Sequence, residues 1–436
     1  MIDTIISVLR EQGIAHYLIH EDTWESAELF FVKKSLDMCR EKKITEWSVT
    51  VYRDFTAERG GKECAMRGAA SFGVKQGMTR EELAEAVQKA WNSAAYVKNL
   101  YYELVKGGQT AECPKAGRED DGALRTLTAA MAQALFAPDT REHAFVNSAE
   151  IFAVYLKKRI VNSEGVDVGY EKRCVKGEFV VQCRNPQDVE MYHSFEYEGA
   201  DTEALSDKVS KALLLVEQRA QAMKAPKSGT YPVLLANAEV GNLFDYYVTR
   251  SASYMIYPKY SSYEVGTKAQ GEEITGDRIT ITLKADEPYS GEGIPMKDRV
   301  VLKEGEVQLI HGPSRFGYYL GIEPTGSYED IMVESGSRSI AELGELAAKK
   351  NGVWLEVKSF SDFQMDAMSG HFGGEIRLAL LHEGEKITPV TGGSINGSIL
   401  AVQKDIYLSK ERIKSRGYEG PEAVLLTDIS VAGSEE

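Results

Sequence analysis

Apolar and polar residues alternate along this chain in two rhythms. Leu29, Phe30, Val32 and Leu36 gather on one side of a helical wheel, which predicts an amphipathic helix over 25–41. Trp47 to Tyr52 alternates with period two and predicts a strand. Thr79-Arg80-Glu81-Glu82 reads as a capping box, in which a hydroxyl and a carboxylate three residues on satisfy free backbone N–H groups reciprocally. It predicts a helix running to about Val105. Residues 107–122 are polar, with Gly107, Gly108, Pro114 and Gly117, and predict a surface loop. A helix is expected over 123–136, strands at 147–160 and 177–183, and a helix over 202–223 starting at Asp201 or Thr202.

Lys224 to Thr230 combines Pro, Gly and Ser between a helix end and the apolar strand Tyr231 to Leu235, which predicts a domain boundary. Beyond it, Val300 to Leu302 and Glu306 to His311 flank the hairpin-like turn Lys303-Glu304-Gly305. Leu378 to Leu381 and Lys386 to Val390 flank His382-Glu383-Gly384-Glu385 in the same way. Ser339 and Glu342 form a second capping box, Gly352 suits the end of that helix, and a strand follows over 353–359. The expected fold is α+β in two domains. Residues 1–225 would form a mixed α/β domain, and 229–436 a strand-rich domain with a curved sheet or partial barrel. A length of 436 residues agrees, being too much for one small core.

Composition narrows the function. Apolar residues make up 43 % and charged residues 27 %, as in an ordinary globular protein. The net charge is −15 and no block of five basic residues occurs, which argues against a surface that neutralises nucleic-acid phosphates. No apolar run is long enough to span a bilayer, and Asp3 sits where a leader would carry positive charge. A cytoplasmic protein with no membrane and no nucleic-acid partner is expected. The five cysteines show no CxxC spacing and are expected to be reduced thiols. The seven histidines form no HExxH, although His371 and His382 are placed to converge across a hairpin. Gly392-Gly393-Ser394-Ile395-Asn396 narrowly misses a nucleophile elbow, in a strand-and-turn context that does not suit one. Asp286, Glu287 and Glu292 read as a solvated acidic loop.

Several segments, in order and spacing, resemble the TldD/PmbA family. They are Gly229 to Leu235, Gly293-Ile294-Pro295, Gly305-Glu306-Val307, Glu383-Gly384-Glu385 leading to Pro389-Val390, and Ser394 to Leu400. Ser163 to Asp167 resembles a first-domain segment of the family. The resemblance implies a two-domain fold and a cytoplasmic peptidase assembly. TldD-type chains of that family carry zinc on a helical HExxxH motif and a downstream Cys, with the Glu activating water. TldE/PmbA-type chains lack these ligands and pair with a TldD-type chain.

A helix expected over 236–250 sits where the motif belongs, with Val240, Leu243, Phe244, Tyr247 and Val248 as its buried stripe. Alignment of that stripe puts Asp245 at the first His position, Tyr246 at the Glu position and Arg250 at the second His position. A guanidinium has no lone pair for a metal, and a phenol is a poor base at neutral pH. No Cys lies beyond Cys183. No catalytic residue, no metal and no cofactor is therefore expected. Asp245, Tyr246 and Arg250 are either a solvated face or the lining of a peptide chamber. Tyr254, Tyr257, Tyr260 and Tyr263 recur every three residues, as rings packed on the domain or as a peptide or subunit contact. The expected function is that of a non-catalytic TldE/PmbA-like subunit. It would partner a TldD-like zinc peptidase, or itself as a dimer, and act on unfolded peptide. The alternative is an active homodimeric hydrolase with a relocated site near His311, His371 or His382.

Overall fold

The computed structural model describes residues 1–108, 123–236 and 238–434. Most of the expected polar loop, 109–122, lies outside the described residues. The first half runs α1 (Ile2–Glu11), β1 (His16–Val32), β2 (Ser35–Arg59), β3 (Lys62–Val74), α2 (Arg80–Ala94), α3 (Ala123–Phe136), β4 (Ala144–Asn162), β5 (Asp167–Cys183), β6 (Val189–Tyr197) and α4 (Thr202–Gln221). Its six strands form one antiparallel sheet in the order β3-β2-β1-β4-β5-β6. Two cores lie against it. Ile5, Leu9, Leu83 and Val87 of α1 and α2 pack on Ile19, Val49 and Val51. Met131, Leu135, Leu205, Val209 and Leu213 of α3 and α4 pack on Ile151, Phe179 and Val181.

Two expectations fail here for stateable reasons. Residues 25–41 are not a helix but the end of a hairpin, with Phe31 opposite Leu36 and Val32 opposite Ser35. Lys33 turns the chain with φ of 53°. Leu29 and Phe31 join the α3–α4 core, while Phe30 meets Phe152 edge-on at 5.6 Å. Consecutive apolar residues are therefore used on both faces of one strand, and period two is lost. The Thr79 capping box is present, but its helix stops at Ala94 rather than near Val105. Residues 99–101 instead pair along the free side of β3: Arg67 N donates to Asn99 O and Tyr101 N to Ala65 O, both at 2.9 Å. Gly68 permits this crowding, since a Cβ there would stand 1.8 Å from the Ala94 carbonyl oxygen.

The second half runs β7 (Gly229–Leu235), α5 (Asp245–Arg250), α6 (Ser253–Ile256), β8 (Ile281–Lys284), β9 (Arg299–Lys303), β10 (Glu306–Val307), α7 (Ser314–Leu320), β11 (Asp330–Val333), α8 (Ile340–Asn351), β12 (Val353–Met365), β13 (His371–Glu383), β14 (Lys386–Val390), β15 (Ser394–Ser398), α9 (Ile399–Val402), β16 (Tyr407–Leu408), β17 (Arg412–Ser415), β18 (Tyr418–Pro421) and β19 (Val424–Ala432). β7 pairs with β12 and β19, β19 with β15, β15 with β13, and β13 with β12. Those pairings close a ring of strands, so the expected partial barrel is a closed one. A second sheet has the order β10-β9-β8-β11-β18-β17. Both expected hairpins form, and Glu304 and Gly305 take φ of 51° and 81° in the first. The Ser339 capping box opens α8, whose Leu343 and Ala347 cover Leu234, Trp354 and Leu425 on the barrel wall.

The halves are joined by specific contacts. Tyr319 Oη donates to Leu100 O at 2.5 Å, Arg315 Nη1 to Asn99 Oδ1 at 3.1 Å, and Lys158 Nζ to Glu287 at 3.0 Å. Lys172 pairs with Asp286 across the same seam, whereas within the second half Ser314 N and Oγ donate to Glu292 at 2.8 and 2.5 Å. Asp286 and Glu287 thus pin the halves together and Glu292 holds the start of α7, in place of the expected solvated loop. The segment before β7 is pinned as well: Ser228 N donates to Ser434 O and Ser434 N to Pro226 O. Among the described residues no helix is long and apolar enough to cross a membrane.

Candidate functional site

β7 delivers the chain from the barrel wall into a 3-10 segment, Ala238–Phe244, and then α5. The single helix expected over 236–250 is therefore two pieces. A 3-10 segment stacks residues three apart, so Val240 and Leu243 line up and are buried, and Tyr246 of α5 is buried in the same core. Gly241 lets the segment lie against Tyr418, whose ring carbon Cγ would stand 2.7 Å from a Cβ there. Phe244 stacks almost parallel on the same ring at 6.1 Å. Of the expected stripe, Val240, Leu243, Phe244 and Tyr247 are fully buried and Val248 partly so.

Asp245, Tyr246 and Arg250 meet different fates. Asp245 reaches solvent, yet desolvation by the surrounding protein pushes its carboxyl up to about 6. Tyr246 is only 3 % exposed, so it does not belong to a solvated face. The guanidinium of Arg250 lies 5.8 Å from the Tyr246 ring and 5.4 Å from the Tyr263 ring. Its Nη1 donates to the carbonyls of Tyr260 at 3.0 Å and Met368 at 3.4 Å. Nε is buried with no acceptor, and among the described residues no carboxylate pairs with this arginine. Gly370, with φ of 76°, brings the turn after β12 to within 3.3 Å of Tyr246, measured from a Cβ placed there.

This donor set does not fit zinc. Asp245 is the one carboxylate among the three, Arg250 is a permanent cation, and Tyr246 is a buried phenol. Among the described residues no three His, Cys, Asp or Glu side chains are grouped closely enough to hold a metal.

The four spaced tyrosines split. Tyr263 is buried beside Arg250, and burial pushes its phenol up. Tyr254 and Tyr257 pack on Phe316 at 6.5 and 6.1 Å, and Tyr257 also on Tyr319 at 4.8 Å. Tyr260 is 57 % exposed. Sequence reasoning missed the other side of this cluster, in which Tyr318 meets Tyr101 and Tyr319 meets Tyr102. Its only signal is the aromatic run of α7, Phe316-Gly317-Tyr318-Tyr319.

The matches to known proteins follow the second half most closely. Residues 228–433 match the PmbA/TldA metallopeptidase C-terminal domain. The second half is a TldD/PmbA-family domain. Solved structures share the fold over the whole length of the chain. TldE from Thermococcus kodakarensis aligns with TM-score 0.75 and 15 % identity, covering 99 % of this chain and 100 % of its own. A Thermotoga maritima protein described as a candidate modulator of a DNA gyrase aligns with TM-score 0.74 and 17 % identity, covering 99 % of each chain. A Bacteroides thetaiotaomicron protein of the same description gives 0.72 and 15 %, covering 99 % of this chain and 98 % of its own. No curated protein matches the chain.

In this TldD/PmbA-family domain His371 and His382 do not meet. His371 and His382 stand near opposite ends of β13. His382 stacks on Trp354 at 3.7 Å and faces Glu356 at 3.3 Å. His311 lies beside α5, where Nε2 donates to Val248 O at 2.9 Å, and burial lowers its pKa. A neutral ring with Nε2 protonated leaves Nδ1 as an acceptor, and that atom is buried without a partner, as is Ser253 Oγ.

Proposed function

We propose that this chain is a non-catalytic, TldE/PmbA-like subunit that works with a TldD-type zinc peptidase on unfolded peptides in the cytoplasm. The observation that carries the proposal is Arg250. Alignment of the buried stripe assigns it to the position of a metal-binding imidazole, and two carbonyls and two rings hold its guanidinium. A fixed cation repels zinc, and the neighbouring Tyr246 cannot activate water as a carboxylate would. Whole-length similarity to a protein named TldE supports the same assignment.

An extended peptide can be held by main-chain pairing to an open strand edge. β6 ends the first sheet, and residues 35–46 of β2 pair with β1 but not with β3, so both offer such edges. The test is metal content and cleavage of an unfolded peptide by the purified chain, alone and after mixing with a TldD-type subunit. Expected are no bound zinc, no cleavage alone, and a stable complex with the second chain. Stoichiometric zinc together with cleavage by the isolated chain would overturn the proposal.

A further inference from the structure

The Arg250 guanidinium is oriented but not neutralised. Both of its hydrogen bonds use Nη1 and end on backbone carbonyls, which leaves Nη2 free among the described residues. The Tyr246 and Tyr263 rings fix its plane without supplying a negative charge. Asp245, on the same short helix, forms no ion pair with it. The two residues whose carbonyls hold it, Tyr260 and Met368, are themselves 57 % and 50 % exposed, so the cation opens onto a rim of accessible apolar surface. A planar guanidinium with spare N–H groups matches one ligand chemistry especially well, a carboxylate.

We propose that Arg250 anchors the free C-terminal carboxylate of a bound peptide, with Tyr260 and Met368 receiving its last side chains. This rests on the peptide-handling function proposed above. The same residues also explain a purely structural arginine, which would staple the 366–370 turn to the segment around Tyr260. The two roles differ in one respect: only an anchor distinguishes a carboxylate from an amide.

The experiment measures fluorescence anisotropy of a labelled unstructured peptide, as free acid and as C-terminal amide, with the full-length chain. The free acid is expected to bind at least about tenfold more tightly, the least that a hydrogen bond to a charged group supplies. Arg250→Gln is expected to abolish that preference, and Arg250→Lys to keep part of it. Equal binding of acid and amide overturns the anchor but leaves peptide binding standing. Binding of neither form overturns both. An acid preference that survives in Arg250→Gln removes the assignment to this residue. The acid–amide comparison on the unaltered chain stands even if Arg250→Gln fails to fold.

Discussion

Two arginines in this protein are enclosed by tyrosines and answered differently. Arg67, 2 % exposed, makes a two-pronged pair with Asp54 at 2.7 Å on each arm, donates to Tyr102 O at 2.8 Å and lies 4.6 Å from the Tyr101 ring. Arg250 has rings and carbonyls but no carboxylate. Removing the acid from the first pair strands a buried cation. Asp54→Ala is therefore expected to lower stability by about 2–3 kcal/mol, with Asp54's own partial exposure holding the loss below that of a fully buried pair. A urea titration reads it. Two titrating groups give opposite pH signatures. Asp245 is raised to about 6 from 3.8, so the native state holds its proton more tightly than the unfolded chain does. Its ionised form is a liability at pH 7 that disappears as pH falls from about 6 toward 4. Asp245→Asn should raise Tm at pH 7 and leave it unchanged at pH 4. His193, stacked on Phe179, is lowered to about 4 from 6.5, so the unfolded chain takes up the proton first. Its contribution is intact above pH 6.5 and is lost as pH falls toward 4, on the order of 2 kcal/mol. His193→Leu should flatten that part of the stability profile.

Helix starts show how far local chemistry reaches. The Ser339 and Thr79 boxes are both made, with side chain and backbone bonded reciprocally, because every group involved lies within four residues. Ser339→Ala is expected to cost about 1 kcal/mol, read from the urea midpoint. Asp201 caps α4 by accepting from Ala204 N, and α3 spans the expected residues 123–136. What fails is decided at a distance. α2 ends because residues 99–101 complete the edge of β3, a pairing that no local pattern announces. The 25–41 segment misleads because its apolar residues are divided between the two faces of β1 and an exposed hairpin end, where Val32 and Leu36 lie open. The candidate site divides along the same line. Asp245, Tyr246 and Arg250 can be located from the stripe beside them, whereas the carbonyl of Met368, 118 residues further on, reaches Arg250 only once the barrel closes. Likewise α7 shows its aromatic run, but its meeting with Tyr101 and Tyr102 needs both halves in place.

The two halves meet at close contacts, and Gly293 marks one of them. It has φ of 81°, and a Cβ there would stand 2.5 Å from Val166 Cγ1 on the opposite half. Gly293→Ala should strain its own backbone and push the halves apart. The expected calorimetric result is one unfolding transition splitting into two, with the first-half melting point little changed. The seam at residues 226–228 carries a different implication. There Lys227 lies beside Ser434, while β7 and β19 run antiparallel from that same end of the barrel. Tension applied between these two points meets the hydrogen bonds one after another, as in unzipping, instead of loading them all at once in shear. A motor that tugged on the tail would peel β19 away from β7 at modest force, and in an optical trap the barrel should yield as an early step while the first sheet still holds.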